Sequence, residues 1–183
     1  SGFTAPDEPG TNVATFVAAS SQNFTRASFA GLSGIYTWSF WFKRASSVDT
    51  VAYVAKWGGF PNSVEYLIYN TGAGGNLQHH TSDGSASKTA TASGYDAGLT
   101  WHLITAWMDS DKIPHIQIDD GAVNDGTALA GTPYSASQTL YIGSGPSVVG
   151  YHNGNGSGYN VWSRALTSGE RTDLYASGDG LFY

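Results

Sequence analysis

The chain has 183 residues, of which 40% are hydrophobic, 14% aromatic and only 12% charged, with a formal net charge of −6 and no cysteine. That length is the natural size of one domain, which buries roughly 70% of its unfolded surface and needs no metal or disulfide to fold. Sparse charge and the lack of any Lys/Arg cluster argue against nucleic acid and anionic membranes as partners, and the lack of Cys excludes a disulfide framework, a redox dithiol and a thiolate zinc site.

Ser1 to Thr11 carries Pro6, Pro9 and Gly10 and reads as an extended arm or linker, which places the domain at 12–183. The start at Ser1 without Met is read as a mature form or a domain cut from a longer polypeptide. No signal peptide is visible, and no apolar run approaches the roughly 18 residues of a membrane helix. Strand signals follow at Val13–Ala18 and Asn23–Phe29. The strongest, Tyr36–Arg44, is aromatic and β-branched and free of Gly and Pro. Val51–Lys56 is the next strand, with a loop at Trp57–Ser63. Val64–Tyr69 and Asn76–Thr81 form a hairpin across the turn at 70–75. Ser82–Ser93 reads as a long loop or weak edge strand. Thr100–Met108 and Pro114–Asp119 flank the turn Asp109–Lys112, and Thr139–Ile142 and Tyr159–Ser163 are the last strands. Between those two the Gly-, Ser- and Asn-rich stretch Gly143–Gly158 reads as loop. One helix is predicted over Ser168 to about Ala176. Thr167 and Glu170 form its capping box, and Gly178 ends it. Some ten short strands at regular spacing mean a sandwich or barrel.

Four segments in this order resemble the laminin-G-like, concanavalin-A-like jelly-roll family. They are YTWSFWFKR from Tyr36, VAYVAKWGG from Val51, TWHLITAWMDSDKIPHIQIDDG from Thr100, and LYIGS from Leu140 followed by VWSRALTSGERTDLYASG from Val161. The resemblance implies an all-β, two-sheet antiparallel jelly-roll sandwich with one short C-terminal helix. The family includes sugar-binding modules, adhesion domains, domains appended to secreted enzymes and domains of virion proteins, and many members bind calcium at one edge. Where the family often has acids, after the first strand and before the penultimate segment, this chain has Ala18–Asn23 and Ser157–Gly158.

Glycosidases on such a fold need two carboxylates on one face. The three Glu here, Glu8, Glu65 and Glu170, have no acidic partner at strand spacing, and no Gly-x-Ser-x-Gly elbow occurs, so the chain is read as non-catalytic. Asp109, Asp111 and Asp119 are hard oxygen donors at loop ends, and calcium is the candidate cofactor they suggest; Asp as a turn former explains them at least as well. None of the five His has zinc spacing. Strand alternation puts Tyr36, Trp38, Phe40 and Phe42 on one face with Ile104, Ala106, Met108, Ile116 and Ile118 as core. The opposite face then carries Trp41, Lys43, Trp107, His115 and Gln117. Rings beside amide and imidazole groups suit a sugar, so Trp41, Trp107, His115 and Gln117 are candidate ligand-binding residues, with Trp41 packed under a loop as the alternative preferred for that ring. Loop residues Trp57, Tyr151, His152 and Asn153 join them, with Phe60, Asn62, Tyr95, Asn155 and Tyr159 also beside turns. The sequons at Asn23 and Asn155 carry little weight.

The expected function is a non-catalytic carbohydrate-binding or adhesion module, secreted or on a virion surface, whose partner is a glycan or polysaccharide. The alternative is a structural or decoration domain of a virion or surface assembly without a sugar ligand. That domain would dock into neighbouring subunits through the N-terminal arm or the Phe182–Tyr183 end.

Overall fold

The nine-residue strand β3, Tyr36–Arg44, organises the fold because its two faces serve different cores. In this computed structural model, the described residues are 13–32, 34–45, 50–59, 61–72, 75–94, 100–135, 137–146 and 150–176. The arm 1–11, Phe60, Tyr95, Gly178 and the Phe182–Tyr183 end lie outside them.

The other strands are β1 (Ala14–Phe16), β2 (Phe24–Phe29), β4 (Thr50–Gly59), β5 (Ser63–Thr71), β6 (Leu77–Ser82), β7 (Ser87–Ala92), β8 (His102–Met108), β9 (Pro114–Ile118), β10 (Asn124–Asp125), β11 (Gln138–Ile142) and β12 (Gly154–Trp162). One sheet has the order β1-β12-β3-β8-β9-β10 and the other β2-β11-β4-β5-β6-β7. Every strand pair within them is antiparallel. This is the jelly-roll sandwich that the segment order implies.

Between the sheets lie Tyr36, Trp38, Phe40 and Phe42 of β3, Tyr53 and Val54 of β4, Tyr66 and Ile68 of β5, and Ile104, Ala106 and Met108 of β8. Apart from the consecutive Tyr53 and Val54, which lie at a register shift against β5, that set follows the period-2 alternation that points every second side chain inward. Two polar groups are drawn into this core. His79 faces Tyr36 Oη through Nε2 (2.8 Å) and the His115 carbonyl through Nδ1 (3.0 Å). Lys56 Nζ meets Glu65 Oε2 at 2.6 Å, and both side chains are buried.

Two boundaries differ from the sequence reading, and one open alternative, at 82–93, is resolved as a strand. β4 runs on through Trp57 to Gly59, because successive register shifts against β5 let the pairing continue past Lys56. β12 begins at Gly154 rather than Tyr159, because the Gly-rich stretch pairs with β3 and β1 despite its composition. Residues 87–92 are the edge strand β7, paired with β6.

The helix α1, Ser168–Tyr175, starts as predicted. Thr167 Oγ1 accepts from Glu170 N, and Glu170 reaches back to Thr167 N. Arg164 forks onto the same carboxylate at 2.6 and 2.8 Å, and this pairing holds Glu170 down at about 2.

Candidate functional site

The outer face of β3, β8 and β9, which carries the candidate aromatic side chains, is covered by the chain's own helix. Trp41 is 3% exposed and stacks on Tyr175, within a second apolar cluster of Trp101, Leu103, Leu166 and Leu174. Trp107 is 5% exposed, stacked on His115 at 4.9 Å, with the Arg171 guanidinium 4.2 Å from its ring centre. Gln117 accepts from Arg171 Nε (2.8 Å) and donates to the Gly121 carbonyl. The sugar-platform reading of Trp41, Trp107, His115 and Gln117 is therefore corrected: alternation placed them on one face rightly, but α1 takes up that face. Arg171→Ala removes a cation–π contact and leaves Gln117 Oε1 unpaired, and is expected to cost about 1–3 kcal/mol in urea unfolding. A blue-to-red shift of Trp fluorescence would report Trp107 becoming wet.

The three aspartates do not converge. Asp109 Oδ1 accepts from Asp111 N and Ile113 N, and its Oδ2 pairs with His115 Nε2 at 2.9 Å, while Asp125 takes His115 Nδ1 at 2.7 Å. Burial raises the Asp109 carboxyl, but the Ile113 N–H and the His115 ring outweigh it and hold the group below the usual carboxylate range. Asp119 sits at the other end of the β8–β9 hairpin, accepting from Leu103 N and pairing with His102 Nδ1 at 2.8 Å. Among the described residues no group of three His, Asp or Glu could hold a metal ion, so Asp109, Asp111 and Asp119 do not fit a calcium site. Asp109 caps its own turn through Oδ1, whereas the Asp119 carboxylate ties the end of β9 back to the start of β8.

The remaining candidates separate. Trp57 lies on the outer face of the second sheet, buried among Ala52, Ala55, Val64 and Leu67. Asn153 is half-buried, and its carbonyl accepts from Ala45 N. Tyr151 is 38% exposed, and His152 is 1% exposed. The sequon amides are engaged: Asn23 Nδ2 donates to Ser144 Oγ (2.8 Å) and Asn155 Nδ2 to Thr15 Oγ1 (3.0 Å). Of the glutamates, Glu65 serves Lys56 and Glu170 serves the helix cap.

A groove that the sequence reading passed over lies where β1 turns into β2. It has a volume of about 340 Å³ and is lined by Thr15, Phe16, Ser20, Ser21, Gln22, Asn23 and Phe24. Its polar groups are hydroxyls and amides without a formal charge. Phe24 is 58% exposed at its mouth and meets Phe16 edge-on at 5.7 Å. Topology explains the opening: β1 and β2 are the edge strands of the two sheets and are joined by a single 3-10 turn, 18–20. Gln22 Oε1 accepts from Val17 N and holds that turn closed on itself. The only signal in the sequence was a polar stretch between two short strands. Phe16 also touches His152 at 5.4 Å, so the groove joins the Tyr151–Asn153 loop that the sequence did single out.

Two antiparallel six-stranded sheets packed face to face, closed by one short helix, define a lectin-type jelly roll. The chain belongs to the concanavalin A-like lectin/glucanases superfamily, which it matches over residues 12–170. No curated protein matches it in sequence. Among solved structures it is similar to the heptameric SAP-like pentraxin of Limulus polyphemus, with TM-score 0.64 and 15% identity over 88% of this chain and 77% of that one. It is also similar to mouse laminin α1 domains LG4-5, with TM-score 0.61 and 14% identity over 84% of this chain and 42% of that one. A third is the binding domain of botulinum neurotoxin DC in complex with SialylT, with TM-score 0.58 and 15% identity over 80% and 36%. The chain thus spans less than half of the laminin and neurotoxin chains, and at such identities the likeness is one of fold. Among the described residues no helix is long and apolar enough to cross a membrane.

Proposed function

We propose that this domain is a non-catalytic glycan-binding module of a secreted or virion-surface protein, and that it holds its ligand in the β1–β2 groove. The observation that carries the reading is the lining itself. Phe24 offers an exposed ring for the apolar face of a sugar, and Ser20, Ser21, Gln22 and Asn23 offer neutral donors and acceptors for its hydroxyls. A lining without formal charge favours a neutral polyhydroxylated ligand over an ion. The neurotoxin binding domain solved with SialylT shows a related fold in complex with a glycan and supports the reading by analogy. Exposed Tyr151, next in sequence to His152, which packs behind the groove residue Phe16, is a further contact in this proposal. Calcium has no part in it.

A glycan-array screen of the purified domain, run with calcium and again with chelator, tests this. Saturable binding that is indifferent to chelator is expected, weakened at least tenfold (about 1.4 kcal/mol) in Phe24→Ala and Gln22→Ala. Trp107→Ala may be compared only after its stability is checked, since that ring packs under α1. No binding by the folded domain would sink the glycan reading.

One observation favours the second reading, a structural domain of an assembly. β2 is an edge strand with Phe24 to Ser28 all exposed, and an unpaired strand edge is a template for another chain. Light scattering that finds a concentration-dependent oligomer, abolished by Ala27→Pro, would favour it.

A further inference from the structure

Among the described residues neither ring nitrogen of His152 finds a hydrogen-bond partner, although the residue is 99% buried. Rings box it in: Phe42 at 4.3 Å, Phe16 at 5.4 Å and Tyr53 at 5.7 Å between centroids. The Tyr159 hydroxyl, on a ring stacked on Phe40, is also buried without a hydrogen-bond partner among the described residues. Buried polar groups in folded proteins are nearly always paired, and an unpaired imidazole inside an aromatic box is destabilising. A phenyl ring would fill the same box without that penalty, so packing does not explain why the position is His.

Phe16 connects this box to the surface. Its ring lines the groove on one side and packs on His152 on the other. It rests on Gly143, where an added Cβ would come within 2.3 Å of the ring, and it belongs to a three-residue edge strand paired only with β12. Gly154, opposite Phe16 in that pairing, has φ +147, and an added Cβ there would lie 2.9 Å from His152 Cε1. Both glycines give the two rings space that any other residue would take.

We propose that Phe16 is a movable wall of the groove, and that His152 behind it is the specificity-determining residue that a sugar hydroxyl reaches when the ring swings aside. This rests on the reading of the groove as a glycan site. The chemistry fits a neutral hydroxyl. A neutral imidazole presents one donor and one acceptor, and a hydroxyl offers the complement of both. The neighbouring Arg44 guanidinium disfavours a cationic ligand. The resting groove then discriminates weakly, and selectivity comes from the group that can enter the box.

The test is an NMR titration of the ¹⁵N-labelled domain with the methyl α-glycosides of glucose, galactose, mannose and N-acetylglucosamine. With at least one of them, the amides of Ser20–Phe24 are expected to shift together with the His152 side-chain nitrogens and the Phe16 ring signals. His152→Phe should melt no lower than the native chain yet bind that glycoside at least tenfold more weakly. Amide shifts without any change at His152, and full affinity in His152→Phe, would overturn the movable wall and leave the groove reading standing. No amide shift with any glycoside would overturn both.

Discussion

Acidification from pH 7 to pH 4.5 is expected to strip about 5 kcal/mol from the stability of this fold. Two histidines carry the effect. Burial lowers both His79 and His152 from 6.5 to about 3, with Arg44 adding to the shift at His152. For His79 the hydrogen bonds fix the neutral tautomer: Nδ1–H donates to the His115 carbonyl, which leaves Nε2 to accept from Tyr36 Oη. The unfolded chain takes up these protons near pH 6.5, and the fold does not until about pH 3. Stability is therefore nearly complete above pH 6.5 and falls as pH drops through that window, by about 2–3 kcal/mol per histidine between pH 7 and 4.5. Against a total of roughly 5–15 kcal/mol, two such terms bring the domain near its unfolding midpoint. The paired carboxylates act lower down, since Glu170 holds its proton off until about 2. Urea unfolding at pH 7 and 4.5 checks this. His152→Phe, which removes one titrating group, should lose about half as much as the native chain. Equal midpoints at the two pH values would mean that these imidazoles are not held neutral.

The fold was legible because strand alternation and burial agree. Each inward residue assigned to β3, β8 and β9 from the period-2 pattern lies in or against the core between the sheets. The capping box at Thr167 and Glu170 gave the helix to its first residue, because a cap is a local interaction written in adjacent positions. The site was less legible, for a reason visible in Trp107. Alternation states which face a side chain takes but not what covers that face. The cover here is Arg171, 64 positions further along the chain, a contact no local pattern records. The Asp residues show the same limit: Asp109 and Asp119 flank one hairpin in sequence but sit at its opposite ends in space, so the calcium alternative had no shared site behind it. The groove residues were invisible for the opposite reason. Ser20 to Asn23 are ordinary loop chemistry, and only the stacking of two edge strands makes a recess of them. β12 shows that a Gly- and Asn-rich segment becomes strand when partners on both sides supply the ladder, so composition underestimated it.

The largest single-residue effect is expected at Lys56. Its side chain is fully buried, and Nζ sits 2.6 Å from Glu65 Oε2 and 5.6 Å from the centre of the Phe29 ring. Glu65 Oε1 accepts from Leu32 N at 2.7 Å, so the carboxylate also anchors the chain that leads from β2 to β3. Bringing two ions out of water is expensive, and what makes it tolerable here is their short mutual contact with that extra N–H. Lys56→Met keeps the volume and the aliphatic stem but leaves Glu65 buried against one remaining donor. It is expected to cost about 3–5 kcal/mol, the range for breaking a buried pair from one side. Replacing both partners, Lys56→Met with Glu65→Gln, should cost less than Lys56→Met alone, since an amide still accepts from Leu32 N and no unpaired charge is left inside. That reversal of the usual additivity separates a charge effect from a packing effect. A double variant at least as unstable as the sum of the two single ones would place the energy in packing around the Lys56 stem and not in the ion pair.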